Sequence, residues 1–443
     1  MIALQKGDKK LLNAWAFYDW ANSVYSLVIA SAIFPIFYNA LFTSAKAHIE
    51  VFGISFKNSA LISFVTAFSF LVVAILSPIL SGIADYMGNK KRFMQFFCYL
   101  GAFSSIGLYW FSLENIYFGL LCYILGLIGF WGSLVFYNSY LPDIAFPEQM
   151  DTISAKGYSL GYFGSVLLLI INLAMVMKPE VFGISGTSSE LPAQVAMRYS
   201  FIMVGIWWII FSQYSYYYLP KGNTNSDLKV TNAVIFNGFK ELKKVWTLLN
   251  DNIPLKKYLI SYFVYSMAVL TVMLVATYFG AQEITWASES EKTTGLIICI
   301  LFIQLVAIFG AFLTSKASAK FGNIKTLMAI NVFWVLLCAA AYFITLPLHF
   351  YIMAAFVGLV MGGIQSLSRS TYSKLLPETK DTASFFSFYD VAEKLGIVIG
   401  MCIYGIIDQV TGSPRFAIVF LGLFFVIGVF LLNKIPTNNK LQS

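Results

Sequence analysis

Long apolar runs constrain this chain more than any other feature. We place twelve of them, and each has about the 20 residues that an α-helix needs to cross the hydrocarbon core of a bilayer. The predicted spans lie near residues 14–42, 58–84, 92–113, 115–141, 155–177, 197–219, 257–281, 294–317, 326–346, 349–375, 384–409 and 414–433. Because a helix satisfies its own backbone hydrogen bonds in lipid, the sequence predicts an all-α membrane protein with twelve transmembrane helices.

The composition supports the same class. Of the 443 residues, 59% are hydrophobic and only 11% are charged, whereas about 25% are charged in a typical soluble domain. Such a chain could not hide its apolar side chains in one aqueous core. The net charge of +8 is not arranged as a basic stripe with interleaved aromatic residues, so we expect no nucleic-acid partner.

The longest polar interruption divides the predicted spans into six and six. We therefore predict an N-terminal six-helix bundle over residues 1–219, a linker over residues 220–256 and a C-terminal six-helix bundle over residues 257–443. Within the linker, apolar residues share one helical face opposite three lysines. The apolar residues are Val234, Phe236, Phe239, Leu242, Val245 and Trp246, and the lysines are Lys240, Lys243 and Lys244. This pattern predicts an amphipathic helix on the inner leaflet, with a partner-binding helix as the alternative.

Lysine and arginine residues are distributed unequally between the two sides of the membrane. If the spans alternate, the side that holds both chain ends collects 22 of them and the opposite side collects six. Basic residues favour the cytoplasmic side, so we expect both termini in the cytoplasm. The short loops favour a bacterial inner membrane over a vacuolar membrane.

The two halves of the chain share a sequence repeat. "PEQMDTIS" begins at Pro147 and "PETKDTAS" begins at Pro377, and five of their eight positions match at a separation of 230 residues. The same separation pairs Gly132 with Gly362, each in the helix before the loop. A six-helix unit that occurs twice in the same orientation is the plan of the major facilitator superfamily.

The loop after the second predicted span supports that assignment. "PILSGIADYMGNKKRF" resembles the signature loop of the major facilitator superfamily, which in that family latches the two halves together. The matching residues are Ser81, Gly82, Asp85, Gly88, Lys90, Lys91 and Arg92. Ser81 stands at the usual glycine position, and the corresponding loop of the second half has Ala319 in place of the aspartate. We expect Asp85 to contact a basic residue or the positive end of a neighbouring helix.

Three further stretches resemble one branch of this superfamily. They are "FYDWANSVY" from Phe17, "FYNSYLPDI" from Phe136 and "GGIQSLSRSTYSKLLPE" from Gly362. Together they resemble the vacuole-effluxer-like branch, whose fungal members export amino acids from the vacuole during autophagy. The resemblance implies amino-acid export, while the residues themselves do not specify a substrate.

Ionisable residues inside the predicted spans are the candidates for function. A carboxylate in the hydrocarbon costs at least ~2.5–3.5 kcal/mol, so it needs water, a proton or a partner. In the first span, Asp19 and Asn22 have helical spacing and share a face. The candidates for the substrate and proton pathway are Asp19, Asn22, Tyr25, Asn138, Tyr262, Tyr265, Gln365, Arg369, Asp390, Glu393 and Lys394.

The charged candidates allow more than one pairing. Asp390 and Lys394 have the i,i+4 spacing of an ion pair. Arg369 should lie at the same depth as Asp390, so these residues could form a purely structural cluster. Glu393 would then be the spare carboxylate and the candidate proton carrier. Asp19 is a candidate gate residue, with a substrate or proton site and plain packing as the alternatives.

Other chemistries find little support in the sequence. The five cysteines lie in apolar stretches without a CxxC pair, and His48 and His349 lack a partner at helical spacing, so we expect no metal site. "GYSLG" from Gly157 fits the GxSxG motif but opens a predicted membrane helix rather than a strand–turn–helix. We expect neither an enzyme nor a bound cofactor.

These observations predict a secondary transporter that moves a small polar solute by alternating access, with an amino acid or short peptide as the first candidate. Proton-coupled export is the expected mode, since no GxxxxGK[ST] phosphate-binding loop occurs. The alternatives are an exporter of amphipathic drugs or metabolites and, from another class, a non-transporting membrane receptor or scaffold. We expect a monomer whose partners are a small-molecule substrate, protons and the lipid bilayer.

Overall fold

Helices make up most of the structure, a computed structural model that describes residues 4–42, 48–187, 191–221, 232–411 and 413–436. The first crossing consists of α1 (Lys9–Val24), a π-helical segment (Tyr25–Ile33) and α2 (Phe34–Ala40). The remaining helices of the first half are α3 (Asn58–Met87), α4 (Lys90–Gly107), α5 (Ile116–Ser139), α6 (Leu141–Ile144), α7 (Pro147–Met177) and α8 (Pro192–Tyr218). They are followed by α9 (Asn232–Asp251), α10 (Ile253–Glu283), α11 (Glu289–Phe321), α12 (Asn323–Ala341), α13 (Pro347–Leu375), α14 (Thr382–Thr411) and α15 (Pro414–Asn433).

Ten helical segments of the described chain are long and apolar enough to cross a membrane. Two further long helices, α4 and α14, pack among them and are more highly charged. Lys90, Lys91 and Arg92 begin α4, and Asp390, Glu393 and Lys394 lie within α14. With these two helices the structure has the predicted twelve crossings.

Local chemistry explains where several helices begin and turn. Proline occupies the first residue of α7, α8, α13 and α15, where its missing N–H costs nothing. Gly88 and Gly322 have φ values of 62° and 83°, and they occupy the tight turns that join α3 to α4 and α11 to α12. A left-handed φ at these turns favours glycine, because other residues pay for the Cβ contact.

A small β-hairpin follows α2 and departs from the all-helical prediction. Strand β1 (His48–Val51) pairs antiparallel with β2 (Ile54–Lys57). The two residues of the turn, Phe52 and Gly53, both have positive φ values, of 52° and 76°. A two-residue turn of this kind matches the twist of the strands it joins.

Both described ends of the chain lie at one face of the helical body, which we call the terminal face. The N–H of Gly7 donates to the carbonyl of Ile144 at 2.7 Å and so joins the start of α1 to the end of α6. The Lys257 ammonium donates to the carbonyl of Lys434 at 3.0 Å and so joins the start of α10 to the end of α15. Because successive crossings alternate, the starts of α7 and α14 and the ends of α3, α5 and α13 also lie here.

The buried apolar side chains form two clusters. One is drawn almost entirely from residues 11–219 and the other from residues 245–435. We call α1–α8 the N-terminal half and α10–α15 the C-terminal half. The linker helix α9 packs against α3, α10 and α14 and therefore touches both halves. Of its predicted apolar face, Val245 is buried and Trp246 is half exposed, while the side chains of Val234, Phe236, Phe239 and Leu242 lie outside the described residues.

Candidate functional site

A buried ion pair joins the two halves. Both terminal nitrogens of Arg369, on α13, lie 3.2 Å from Oδ2 of Asp19, on α1. Their side chains are 2% and 6% exposed. The hydroxyl of Tyr137 on α5 donates to the same carboxylate oxygen at 2.9 Å. The carboxylate of Asp19 is thus supplied with the partners that a charge in the membrane interior needs.

The remaining hydrogen bonds of Arg369 also lead to the N-terminal half. Its Nε donates to the Ser154 hydroxyl at 3.0 Å, and Nη2 donates to the Ser154 carbonyl at 3.0 Å. Its Nη1 donates to the side-chain oxygen of Asn138 at 3.2 Å. Arg369 therefore extends from the C-terminal half into a pocket formed by the N-terminal half.

Aromatic rings form the walls of that pocket. The guanidinium carbon of Arg369 lies 4.2 Å from the ring centre of Tyr158, 4.7 Å from that of Trp15 and 5.4 Å from that of Tyr137. Aromatic faces attract cations at these distances. The Trp15 N–H donates to the Tyr137 carbonyl at 2.8 Å, which fixes the two stacked rings, with centres 4.6 Å apart.

Glycines on α7 make room for the ion pair. A Cβ on Gly157 would lie 2.6 Å from Oδ2 of Asp19 and 3.0 Å from Nη2 of Arg369. A Cβ on Gly161 would meet the backbone oxygen of Asp19 at 3.2 Å. The close approach of α1 and α7 that small residues permit thus serves the site as well as the packing.

A second charged cluster lies on α14. The ammonium of Lys394 is 2.8 Å from a carboxylate oxygen of Asp390 and 3.6 Å from one of Glu393. It also lies 3.4 Å from the ring centre of Trp131 on α5, and the Ser77 hydroxyl on α3 donates to Asp390 at 3.1 Å. This cluster therefore also contacts the N-terminal half.

Tyr262 of α10 joins the second cluster, and Tyr258 and Tyr265 lie beside it. The Tyr262 hydroxyl donates to Glu393 at 3.1 Å, and its ring stacks on Tyr389 with centres 4.0 Å apart. The Tyr265 hydroxyl lies 2.7 Å from that of Ser368 and 3.2 Å from that of Tyr258. Glu393 is the most exposed charged side chain of the cluster, at 15%.

The structure brings most of the predicted pathway residues into these two clusters or between them. Asn22 is buried one turn from Asp19, and its side-chain oxygen accepts from Ser23 at 3.3 Å. The side-chain oxygen of Gln365 accepts from Tyr162 at 2.5 Å, which bridges α13 and α7. Arg369 pairs with Asp19 and not with Asp390. The predicted pairing with Asp390 rested on equal depth in the membrane, and depth does not specify which helix faces Arg369.

Tyr25 is the exception among the predicted pathway residues. It is fully buried, and its ring packs on Phe130 and Trp208 inside the N-terminal half. The structure places Tyr25 outside both charged clusters, so its part in the substrate pathway stays a prediction. It is the first residue of the π-helical segment, and the wider spacing of such a segment changes which side chains share a face with those of the preceding turn.

The signature loop contacts the C-terminal half at the terminal face. The carboxylate of Asp85 accepts from the backbone N–H of Ser384 at 2.7 Å and of Ala383 at 3.3 Å. These are first-turn amides of α14, where a helix carries positive charge. Lys90 contacts Asp143 and donates to the Thr382 hydroxyl at 3.0 Å.

Other members of the predicted latch have local roles in the structure. The Lys91 ammonium donates to the carbonyl of Leu219 at 2.8 Å, and the Ser81 hydroxyl donates to the carbonyl of Pro78 at 3.0 Å. Arg92 is exposed and Gly82 is buried. The inter-half contacts of this loop thus come from Asp85 and Lys90.

A second polar network closes the terminal face between α7 and the C-terminal half. Asp151 lies 3.1 Å from the Lys374 ammonium and accepts from Asn323 and Ser318, both at 2.9 Å. Asp151 and Asp381 are the matching aspartates of the sequence repeat, and Asp381 pairs with Lys244 of α9 at 2.8 Å. With these contacts, the two halves are joined from the terminal face to the ion pair, so the structure is closed on this face.

Sequence reasoning missed several residues of the site. Trp15, Tyr137 and Ser154 were not among the candidates, although Tyr137 stands in the quoted "FYNSYLPDI" stretch. Asp151 and Lys374 were also missed. The matching aspartates of the repeat were the signal that could have found Asp151, because an aspartate retained in both copies of a loop points to a shared role.

Comparisons with known proteins agree on the class of this fold. The family model described as "Vacuole effluxer Atg22 like" matches residues 7–442. The chain is 32% identical to the "Uncharacterized MFS-type transporter YxiO" of Bacillus subtilis, over 98% of this chain and 96% of that protein. It is 24% identical to autophagy-related protein 22-2 of Aspergillus oryzae, over 88% of this chain and 75% of that protein.

Solved structures show the same architecture. The crystal structure of the major facilitator transporter FucP in the outward conformation superposes with a TM-score of 0.71. That comparison covers 97% of this chain and 99% of FucP at 13% sequence identity. At this identity the likeness concerns the fold alone. Taken with the family match over nearly the whole sequence, it places the chain in the vacuole effluxer Atg22-like family of the major facilitator superfamily and makes it a multi-pass membrane transporter.

Proposed function

We propose that this transporter moves a small zwitterionic solute, with an amino acid or short peptide as the first candidate, and that the solute binds between Asp19 and Arg369. The observation that carries the proposal is the position of Arg369. All of the hydrogen-bond partners of its guanidinium in the described structure belong to the opposite half, namely Asp19, Asn138 and Ser154.

Alternating access would require these partners to separate. When the halves part, the N-terminal half is left with a carboxylate in an aromatic-walled pocket, which suits an ammonium group. The C-terminal half is left with the guanidinium of Arg369, which suits a carboxylate. A zwitterion offers both groups, so it can replace each lost partner. Leaving either charge buried and unpaired would cost about 3–5 kcal/mol.

The second cluster supports coupling to protons. Asp390, Glu393 and Lys394 carry one more negative than positive charge, and Glu393 is the most exposed of the three. A carboxylate that water reaches can take up a proton in one state and release it in the other. Glu393 is therefore the proposed proton carrier, while Lys394 and Asp390 hold each other in place.

The direction of transport is proposed as export. The family description names effluxers, and the excess of lysine and arginine residues at the terminal face supports placing that face in the cytoplasm. The structure would then be the state that is closed to the cytoplasm. A bacterial inner membrane is the proposed location, in keeping with the bacterial relative at 32% identity.

Counterflow in proteoliposomes tests the substrate and the site together. Vesicles are preloaded with a mixture of the twenty amino acids, and each labelled amino acid is added outside in turn. We expect at least one to accumulate, and we expect Asp19→Asn and Arg369→Met to abolish the accumulation. Tyr25→Phe is the matched control, because it removes a buried hydroxyl from the same membrane crossing as Asp19, where the ring packs on Phe130 and Trp208 away from the ion pair.

The outcomes separate the parts of the proposal. Accumulation that survives both substitutions would remove the ion pair from the binding site while leaving amino-acid transport intact. Failure of every amino acid, and of dipeptides in the same assay with vesicles preloaded with dipeptides, would contradict the zwitterion proposal if the wild-type protein is folded. It would direct the search to sugars and amphipathic compounds.

A further inference from the structure

The linker helix α9 presents a basic surface away from the protein. At about 100° per residue, Lys240 and Lys243 lie opposite Val245 and Leu249, which are buried against the helical body. Lys240 and Lys243 are exposed. Trp246 lies on one flank of this basic face and remains 54% exposed. The helix therefore packs its apolar side on the protein and turns its lysines outward.

The depth of α9 places this surface at the edge of the bilayer. The Trp246 ring packs on Phe388 with centres 5.7 Å apart, and Phe388 lies in the second turn of the membrane-crossing helix α14. Exposed tryptophan is typical of the membrane–water boundary. In the first turn of α10, which follows α9 directly, Ile253 is 57% exposed and Lys256 is exposed. Exposed apolar and basic side chains thus occur together around the junction of α9 and α10, as a surface at the level of lipid head groups requires.

From this arrangement we infer that Lys240 and Lys243, together with Lys256, form a binding surface for anionic phospholipid head groups. Charge complementarity favours an anionic partner. Three exposed lysines stand against one acidic side chain, Asp251, that the structure describes as exposed at this end of α9. Each basic residue near such a surface adds about 1 kcal/mol of attraction, equivalent to roughly fivefold in affinity. The exposed Trp246 and Ile253 favour a lipid over a free anion, because a lipid also covers apolar surface.

Lipid bound here would stabilise the closed terminal face. Lys244, next to Lys243, pairs with Asp381 immediately before α14, and Asp85 binds the first-turn amides of the same helix. Because α9 packs on α3 and α14 together, anchoring α9 to the membrane holds both partners of the Asp85 contact. Anionic lipid therefore favours the state in which the terminal face is closed. This inference does not depend on the identity of the solute.

Lipid affinity tests the surface directly. The detergent-purified full-length protein is titrated with short-chain phosphatidylglycerol or phosphatidylcholine, and the apparent dissociation constant is taken from the shift in unfolding temperature. For phosphatidylglycerol we expect Lys240→Gln/Lys243→Gln to weaken the affinity by about tenfold or more. Lys316→Gln/Lys320→Gln is the matched control, because it removes the same charge from exposed lysines of α11 at the terminal face and should leave the affinity unchanged.

Three results would overturn the inference. One is equal affinity of the wild type and the α9 variant, and another is an equal loss in the α11 control, which would indicate diffuse attraction. The third is equal stabilisation by inorganic phosphate, which would indicate a free-anion site.

The link to the closed face is tested in nanodiscs of phosphatidylcholine with or without phosphatidylglycerol, with spin labels at positions 148 and 325. Phosphatidylglycerol should shorten the label distance in the wild type but not in the α9 variant, and an equal response in both would contradict the link.

Discussion

At the residue scale, Arg369 belongs to one half of the molecule and finds its partners in the other. Its charge is buried with that of Asp19, and five polar contacts and three aromatic rings surround it. Such a pair is costly to desolvate and costly to break. Because this pair joins the two halves, any movement that separates the halves must break it.

The stability of single and double variants tests this electrostatic account. Asp19→Asn and Arg369→Met should each destabilise the protein by about 3–5 kcal/mol, because each leaves the other charge buried without its partner. The double variant Asp19→Asn/Arg369→Met should lose less than the sum of the two. Thermal unfolding in detergent measures all three. A double variant whose loss equals that sum would show that the two charges do not interact.

Glu393 should separate proton coupling from solute exchange. Glu393→Gln keeps the hydrogen bond from Tyr262 but cannot change charge, so counterflow should continue while uptake driven by a pH gradient is lost. Asp408→Asn, a neutralised carboxylate further along α14, is the control and should keep both activities. Uptake that still responds to the pH gradient in Glu393→Gln would assign the proton to another group.

At the element scale, glycines set how closely helices approach. Beyond the α1–α7 contact, Gly358 and Gly362 of α13 lie against backbone atoms of α11 around Ile303 and Ala307. Close helix contacts through small residues gain van der Waals packing in lipid. In this protein they also leave space for polar side chains between helices, which larger residues would fill.

A single methyl group on α7 should disturb the ion pair. In Gly157→Ala the new Cβ would stand 2.6 Å from Oδ2 of Asp19 and 3.0 Å from Nη2 of Arg369, so the geometry of the ion pair must change. We expect transport to fall by about tenfold or more, since one misplaced group at a site is costly. Gly405→Ala is the matched control, because its Cβ would meet nothing within 4 Å. Initial rates of counterflow measure both, and equal rates in the two variants would contradict the role of Gly157.

At the scale of the whole molecule, the contacts between the halves are arranged along a closed terminal face. Asp85 joins α3 to α14, Asp151 joins α7 to α12 and α13, and the Arg369–Asp19 pair lies deeper. The first two are not copies of one another, since the repeat has Ala319 where the second signature aspartate would stand. The second half instead supplies Asn323 and Lys374 as donors to an aspartate of the first half.

Weakening one of these contacts should open the terminal face. Asp85→Asn removes the charge that α14 amides hold, and a hydrogen bond to a charged group contributes about 1.5–3 kcal/mol. The population open on the terminal face should therefore rise by about tenfold or more. Spin labels at position 148 in the N-terminal half and position 325 in the C-terminal half report this opening as a longer distance between the labels. An unchanged distance distribution would show that Asp85 does not latch the halves.

The architecture of this protein follows from its sequence pattern. Twelve apolar runs and the offset of 230 residues between two loops predicted twelve helices in two related halves, because lipid demands long self-bonded helices. The positive φ of Gly88 could likewise be expected from a tight turn. The β-hairpin at His48–Lys57 escaped notice, although its alternating side chains and two-residue turn are local signals.

Which charges meet depends on how the helices pack. Spacing along one helix predicted the Asp390–Lys394 pair, and the structure has it at 2.8 Å. The Arg369–Asp19 pair spans 350 residues of chain, and it depends on how α13 faces α1 across the interface. Tyr25 packs inside the N-terminal half, away from the ion pair, and its spacing from Asp19 along the helix did not show this. Periodicity fixes depth and face within a helix, whereas contact between helices depends on their packing and rotation, which no local pattern records.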